Sequence, residues 1–251
     1  MTCRSERTRS LLPTLGCACA AVALAVPLMA LQGAPPLAAA KPERELQAGT
    51  LRYRTSLAVG TRRMSVDMVQ TIEAGPSGWI ITESVTTPAG PGVDRGVFDK
   101  ATLALQSRSV QQGPVSVEYR VEAGRLVGEL RQRGQVVPIT LDLASPLVGD
   151  GPGAANVIAT LPLDVGYRAT LQTFTLQSLG LTTATIAVTG SERVTVPAGS
   201  FDAFTVSVES DLATGTLWIS KETRRAVKSV LTAPAGAAGS APQVSTTELL
   251  R

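Results

Sequence analysis

The sequence predicts an all-β fold: a single large, strongly curled antiparallel sheet that forms an open or partly closed β-barrel with little helix. Apolar and polar residues alternate along most of the chain, as from Val115 to Glu122, which is the pattern of a strand with one buried face. Turn segments rich in Gly and Pro recur at intervals of about ten residues, which is typical of antiparallel hairpins rather than of strands joined by helices.

The predicted strands follow one another closely, and Thr and Val, which favour strands, dominate them. They cover residues 50–58, 64–68, 79–86, 101–110, 115–121, 125–130, 137–143, 167–176, 183–189, 192–197, 204–208, 214–220, 225–232 and 243–250. Residues 154–160 are expected to form a short helix or loop, and the low-complexity residues 233–242 a flexible hairpin tip. So many antiparallel strands must curl, and the alternation predicts one continuous apolar face. A sandwich, a barrel and an open half-barrel all fit this pattern.

Residues 1–40 have the features of a cleaved secretory signal peptide. Basic residues are followed by an apolar run over residues 11–31 and a small-residue end at Ala38–Ala40. An uncleaved membrane anchor is the alternative, because 21 residues could span a bilayer, but prolines in the run favour cleavage. Lipid anchoring at Cys17 or Cys19 is not expected, because the long apolar run follows Cys17. We therefore expect residues 41–251 to form a single all-β domain in the periplasm or outside the cell.

The composition excludes several classes of function. Residues 41–251 hold 20 basic and 19 acidic residues, so the surplus of positive charge that nucleic-acid binding requires is missing. The chain has no histidine, and its three cysteines lie in the leader, so a catalytic triad and a zinc site of thiolate or imidazole ligands are both excluded. The sequence also has no phosphate-binding glycine loop.

The acidic residues offer no clear catalytic pair. Glu83, Asp94, Glu118, Asp202 and Glu222 are predicted on polar strand faces or in turns, where carboxylates are normally solvated. The sequence therefore predicts no catalytic residue, no cofactor and no metal site, and hence a protein that is not an enzyme. A membrane-spanning barrel is disfavoured because the aromatic girdles of such barrels are missing.

Three motifs follow one another in the second half of the chain. They are LPLDVGY from Leu161, GSERVTVPAGSFDAF from Gly190 and GTLWISKETRRAVK from Gly215. Over residues 161–230 this order resembles a bacterial exported β-rich family of uncharacterised function. That family is similar in fold to the unclosed β-barrel of periplasmic lipoprotein carriers and of the anti-sigma-factor regulator with a lipoprotein-like domain. The resemblance implies an unclosed sheet and a role in handling lipid.

Two of these motifs also predict local structure. In VPAGSF, Pro197 and Gly199 favour a tight turn, after which Phe201 and Phe204 re-enter the core. Residues 220–225 are expected to form a solvated, charged hairpin tip that carries Lys221, Glu222, Arg224 and Arg225, with an anion-binding corner as the alternative.

Two functions from different classes fit these observations. The first is a non-enzymatic cell-envelope protein that binds a lipid or a lipoprotein acyl chain in the concave face of the curled sheet. The predicted ligand-binding residues are aromatic: Tyr53, Trp79, Tyr167, Phe174 and Trp218. The alternative is a structural or interaction module that pairs with another envelope protein through its sheet edges.

Overall fold

The computed structural model describes residues 40–87, 90–235 and 241–251; the predicted leader lies outside these ranges up to residue 39. The described residues form fourteen strands and one short helix. The strands are β1 (Gly49–Val59), β2 (Arg62–Ala74), β3 (Trp79–Thr87), β4 (Gly90–Phe98), β5 (Leu105–Gln112), β6 (Val115–Glu122), β7 (Arg125–Gln132), β8 (Gln135–Asp142), β9 (Arg168–Thr175), β10 (Gly180–Val196), β11 (Gly199–Ser210), β12 (Thr214–Ser220), β13 (Ala226–Ala233) and β14 (Gln243–Leu249). The helix, α1 (Ala154–Ile158), lies between β8 and β9.

All fourteen strands belong to one antiparallel sheet that is not closed. Its order is β8-β7-β6-β5-β4-β3-β2-β1-β14-β13-β12-β11-β10-β9, so every neighbouring pair is a sequential hairpin except β1 and β14. The two meanders, β1–β8 and β9–β14, meet through seven residue pairs between β1 and β14. The predicted fold class, a curled and unclosed antiparallel sheet, is confirmed.

The two ends of the sheet approach each other without forming a ladder. The rings of Tyr119 on β6 and Phe174 on β9 lie edge to face, with their centroids 4.9 Å apart. Both belong to one buried cluster with Val117, Leu126 and Ile139 of the first meander. A second buried cluster joins residues of the β9–β14 meander, such as Val206 and Leu217, to Ile158 and Leu161 of the connection between β8 and β9. Side-chain packing therefore holds the two ends of the sheet together.

The sequence missed one strand and divided another. Residues 90–98 form β4, although their Gly and Pro content resembles a turn. Gly96 is needed there because a Cβ atom would lie 2.7 Å from the Phe98 ring and 3.1 Å from Pro152. Residues 183–189 and 192–197, predicted as two strands, form the single strand β10, whose register shifts between Val188 and Gly190.

Two local predictions, one of a strand and one of a turn, have different outcomes. Residues 101–104, predicted as strand, form a turn in which Asp99 Oδ1 accepts hydrogen bonds from the backbone of Ala101 and Thr102. Pro197 and Ala198 separate β10 from β11, as predicted. The tip of the β13–β14 hairpin, residues 236–240, lies outside the described residues.

Within the described residues, no helix has the length and apolar character needed to cross a membrane.

Candidate functional site

The chain between the two edge strands, residues 143–167, fills part of the concave side of the sheet; we call it the interior segment. It contacts both meanders. The backbone N–H of Leu105 on β5 donates to the carbonyl oxygen of Leu147 at 2.8 Å. The backbone N–H of Ser145 donates to Gln172 Oε1 on β9 at 3.0 Å. A face that the sequence left uncovered is thus covered in part by the chain's own connection.

Asn156, on α1, is the centre of the contacts between the interior segment and the sheet. Its Nδ2 donates to Gln70 Oε1 on β2 at 2.6 Å and to the Tyr53 hydroxyl on β1 at 3.2 Å. Its Oδ1 accepts from the backbone N–H of Ala226 on β13 at 2.9 Å. One buried amide therefore links three strands from both meanders to the helix.

Tyr53 and Gln70 complete a closed network around this amide. The Tyr53 hydroxyl donates to the carbonyl oxygen of Ala226 at 3.0 Å. Burial, partly offset by the Asn156 hydrogen bond, raises the pKa of Tyr53 to about 12, so the hydroxyl remains neutral. Gln70 Nε2 donates to Glu83 Oε1 on β3 at 2.7 Å.

Glu83 carries the network to the start of the helix. Its Oε1 also accepts from the backbone N–H of Gly153 at 2.8 Å. Burial raises the pKa of Glu83, and the two hydrogen bonds that it accepts only partly oppose this effect. The site therefore favours a carboxyl group that is harder to ionise than one in water.

A second polar cluster lies beside this network, on β4, on β5 and in the interior segment. Arg108 donates from Nη2 and Nε to the Asp94 carboxylate at 2.6 and 2.9 Å, a largely buried bidentate pair. Asp150 of the interior segment accepts from the backbone N–H of Phe174 on edge strand β9 at 3.4 Å. Burial raises the pKa of Asp150, although the positive charge of Arg108 opposes the shift.

These polar residues correct the sequence prediction for this face. Glu83 and Asp94 were expected on solvated strand faces or in turns, but Glu83 lines a cavity against the interior segment and Asp94 is held by Arg108. The concave face is therefore not continuously apolar, because a row that includes Gln70, Glu83, Asp94 and Arg108 crosses it. The buried partners come from distant parts of the chain, so local alternation could not identify them.

Beside the network, between α1 and the sheet, lies a cavity of about 330 Å³ that is open to solvent. Its size falls within the range of about 300–1,000 Å³ that is usual for small-molecule sites. Most of its wall is aliphatic, including Met68, Ile158, Leu171, Val208, Leu217 and Leu231. Tyr53, Gln70, Glu83 and Asn156 line its polar end. The cavity thus combines an apolar wall with a compact polar patch.

Of the five aromatic residues predicted to bind ligand, Tyr53 lines this cavity and the other four do not. Trp79 and Phe174 are buried in the larger core cluster. Tyr167 packs partly buried against the second cluster. Trp218 lies on the opposite face of β12 from the cavity residue Leu217, because successive side chains of a strand alternate. Its indole N–H donates to Glu192 Oε1 at 2.5 Å.

The hairpin tip at residues 220–225 is confirmed in position but only partly in character. Lys221 and Glu222 are exposed, as expected. Arg224 instead lies over the Phe204 ring, with its guanidinium carbon 4.9 Å from the ring centroid. Its Nε and Nη1 atoms are buried and have no hydrogen-bond partner among the described residues. Stacking on an aromatic ring therefore draws this arginine out of the solvent.

Sequence reasoning missed the polar network, although two local signals accompany it. Asn156 is the only asparagine of the chain and lies in the apolar stretch AANVIATL. The preceding GDGPG run places Gly149, Gly151 and Gly153 at positive φ, which lets this backbone pass close to the strands. A single asparagine in an apolar segment that follows such a loop indicates a side chain that fixes the segment to the sheet.

Within the described residues, no group of three or more acidic, histidine or cysteine side chains could hold a metal ion.

The comparisons with known proteins identify a family without an assigned activity. No curated protein and no solved structure matches the chain. The family model described as "Protein of unknown function (DUF3108)" matches residues 50–237. This match begins in β1 and ends in the β13–β14 connection, so it is far wider than the three motifs of residues 161–230. It covers the sheet from β1 to β13 and the interior segment, and β14 lies outside it. The chain therefore belongs to the DUF3108 family of proteins of unknown function.

Proposed function

We propose that this chain is a non-enzymatic, exported cell-envelope protein that binds the acyl chain of a lipid or lipoprotein between the interior segment and the sheet. The cavity of about 330 Å³ supports this proposal most directly, because aliphatic residues from β2, α1, β9, β11, β12 and β13 line it. Aliphatic walls stabilise a bound hydrocarbon chain by about 25 cal/mol for each Å² of apolar surface removed from water.

The leader and the curled sheet support the same function. A basic, apolar and small-residue succession before Lys41 is typical of exported proteins. An unclosed sheet can accept a chain from its open side, whereas the interior of a small closed barrel is filled by side chains or holds at most one small ligand. The bound acyl chain would extend the aliphatic contacts that α1 already makes with the sheet.

The test is a titration of the purified protein with a fluorescent acyl methyl ester and with the corresponding free acid. Saturable binding of either probe is expected below ~100 μM, which corresponds to about 5.5 kcal/mol. Absence of saturable binding of both probes up to that concentration would refute the proposal. Native mass spectrometry of protein purified without detergent gives an independent readout of a co-purifying lipid.

Two alanine substitutions locate the binding site. Ala184 lines the cavity on β10, and Ala187 lies on the opposite face of the same strand. We expect Ala184→Leu to weaken binding by at least ~10-fold and Ala187→Leu to leave it unchanged. Ala155→Leu, which fills the cavity from α1, is a second blocking variant should Ala184→Leu fail to fold. Equal binding by both leucine variants of β10 would exclude this cavity as the site.

The sheet edge favours the second candidate, an interaction module. On edge strand β8, Val136 and Val137 are 54% and 41% exposed, and no described strand pairs with the outer side of β8. Exposed apolar edges pair readily with a strand of another protein. Pro138 lacks an N–H group and limits the length of such a pairing. A photo-crosslinking residue at Val137 that captures one defined envelope protein in cells, with the same residue at exposed Val165 as the control, would favour this function.

A further inference from the structure

Most of the exposed apolar side chains lie at one end of the sheet. In this antiparallel order, every odd-numbered strand ends and every even-numbered strand begins at the same end, which we call the tip end. Eight large apolar side chains among the described residues are exposed, and only Val165 of the interior segment lies elsewhere. The other seven lie in the tip-end connections or within four residues of them: Val59, Met64, Val93, Val136, Val137, Leu176 and Leu212. Such clustering, unlike scattered exposure, indicates a surface that meets another apolar phase.

The β1–β2 hairpin combines apolar and basic side chains at this end. Val59 and Met64 are 36% and 46% exposed, and Arg62 and Arg63 lie between them in the sequence. The Arg62 side chain makes no hydrogen bond or ion pair with the described residues. Arg63 donates only to backbone carbonyl oxygens of its own hairpin. Positive charge beside exposed apolar side chains is the combination that binds anionic lipid at a membrane surface.

Acidic residues do not neutralise this hairpin. The first acid after its arginines, Asp67, is paired with Arg54. Glu209 and Asp211 lie at the β11–β12 connection, but β12 is three strand spacings from β1, about 14 Å. Charges that far apart are largely screened at physiological ionic strength, where the Debye length is about 8 Å. The remaining charged residues near the described tip-end connections are Glu129, Arg131 and Arg133, of which the first two form a pair.

An aliphatic row leads from this hairpin to the cavity. On β2, Met64, Val66 and Met68 share one face because the side chains of a strand alternate, and Met68 lines the cavity. Met64 is exposed, whereas Val66 and Met68 are half-buried. The row spans about 13 Å. On the other meander, the cavity residue Ala184 pairs with Ser210, the last residue of β11, so the cavity wall also extends to the tip end.

We propose that the tip end docks on a bilayer that contains anionic phospholipid, with Val59 and Met64 between the head groups and Arg62 beside a phosphate. This proposal goes beyond the acyl-binding function, because docking requires no ligand in the cavity. A second copy of the chain is a less suitable occupant, since two apposed β1–β2 hairpins would bring four arginines together, and like charges at an interface repel. In the docked orientation, the aliphatic row of β2 extends from the membrane surface to the cavity.

The experiment measures co-sedimentation of the purified exported protein with vesicles of phosphatidylcholine alone and of an equal mixture with phosphatidylglycerol. We expect at least ~10-fold tighter binding to the mixture, equivalent to about 1.4 kcal/mol, and weaker binding at high salt. Arg62→Gln should weaken binding to the mixture about 5-fold, the effect of one charge near an anionic surface, about 1 kcal/mol. Met64→Gln should weaken it by at least ~5-fold, because a polar side chain replaces an inserted apolar one.

Two matched controls and a second apolar variant accompany these changes. Arg52→Gln removes the same charge from an exposed position near the start of β1, away from the tip end. Val165→Gln removes the exposed apolar side chain that lies outside the tip end. Both controls should bind the mixed vesicles like the wild type. Val59→Thr preserves the shape of the side chain and should also weaken binding, so it replaces Met64→Gln should that variant fail to fold.

The outcomes separate this proposal from its alternatives. Absence of vesicle binding by the wild type, or equal binding to both kinds of vesicle, would overturn it. Binding that Arg62→Gln and Met64→Gln leave unchanged would also overturn it, because another part of the chain, such as a retained leader, would then hold the membrane. A dimer that Met64→Gln dissociates, without vesicle binding, would assign the tip end to a second copy. Vesicle binding by a protein that binds no acyl probe would support docking and refute only the proposed function.

Discussion

Replacing Asn156 by alanine removes three buried hydrogen bonds at once. The backbone N–H of Ala226 and the Oε1 atom of Gln70 lose their partners, while the Tyr53 hydroxyl keeps its bond to the carbonyl oxygen of Ala226. Each buried group left unpaired costs about 1–3 kcal/mol. We therefore expect the free energy of unfolding to fall by about 2–6 kcal/mol, a large part of the ~5–15 kcal/mol that stabilises a typical domain.

Urea denaturation followed by circular dichroism measures this loss. The midpoint should fall while the slope of the unfolding free energy against urea stays constant, because the same surface is exposed on unfolding. Gln111→Ala is the control, since the Gln111 side chain is exposed and donates only to Gly113 O among the described residues. That variant should lose less than ~0.5 kcal/mol.

Asn156→Leu separates hydrogen bonding from packing. Leucine fills a similar volume but still leaves Ala226 N–H and Gln70 Oε1 without partners, so we expect it to be destabilised nearly as much as the alanine variant. A leucine variant as stable as the wild type, or an alanine variant that loses less than ~1 kcal/mol, would refute the role of Asn156 as the anchor.

Three further predictions test the remaining features. Asp94→Asn should lower the unfolding free energy by about 3 kcal/mol because it leaves the buried Arg108 charge unpaired. Asp67→Asn breaks the exposed pair with Arg54 and should lower it by less than ~1 kcal/mol. Equal losses in denaturant titrations of the two variants would contradict this prediction. Burial raises the pKa of Glu83, so the folded protein keeps a proton that the unfolded chain releases at about pH 4.3. The free energy of unfolding therefore falls as the pH rises from that value through the pKa of the folded state. The stability of Glu83→Gln relative to the wild type should therefore rise between about pH 4 and about pH 8 in thermal melts, while Asp150 shifts both proteins alike; a constant difference would show that Glu83 titrates normally. N-terminal sequencing of the exported protein should begin near Lys41, and an intact leader in the membrane fraction would contradict cleavage.

The sheet was largely predictable because its causes are local. A strand with one buried face requires apolar residues at every second position, so the strand at Val115–Glu122 could be predicted from the alternation. A hairpin requires turn residues between its strands, so the turn at Pro197 and Ala198 could be predicted as well. Strand β4 was missed for an equally local reason. Gly96 and its neighbours resemble a turn until the packing of Phe98 and Pro152 shows why a side chain cannot fit.

By itself, the sequence determined the alternation, the hairpin order, the lack of histidine and the lack of cysteine after Cys19, since each depends only on residue type and spacing. Only the tertiary structure decided how the two meanders meet at β1 and β14, and that residues 143–167 enter the concave side. The Tyr53–Asn156 hydrogen bond joins residues 103 positions apart, and the bond from Gly153 to Glu83 spans 70. Such contacts depend on the curvature of the whole sheet, and spacing along the chain contains no information about them.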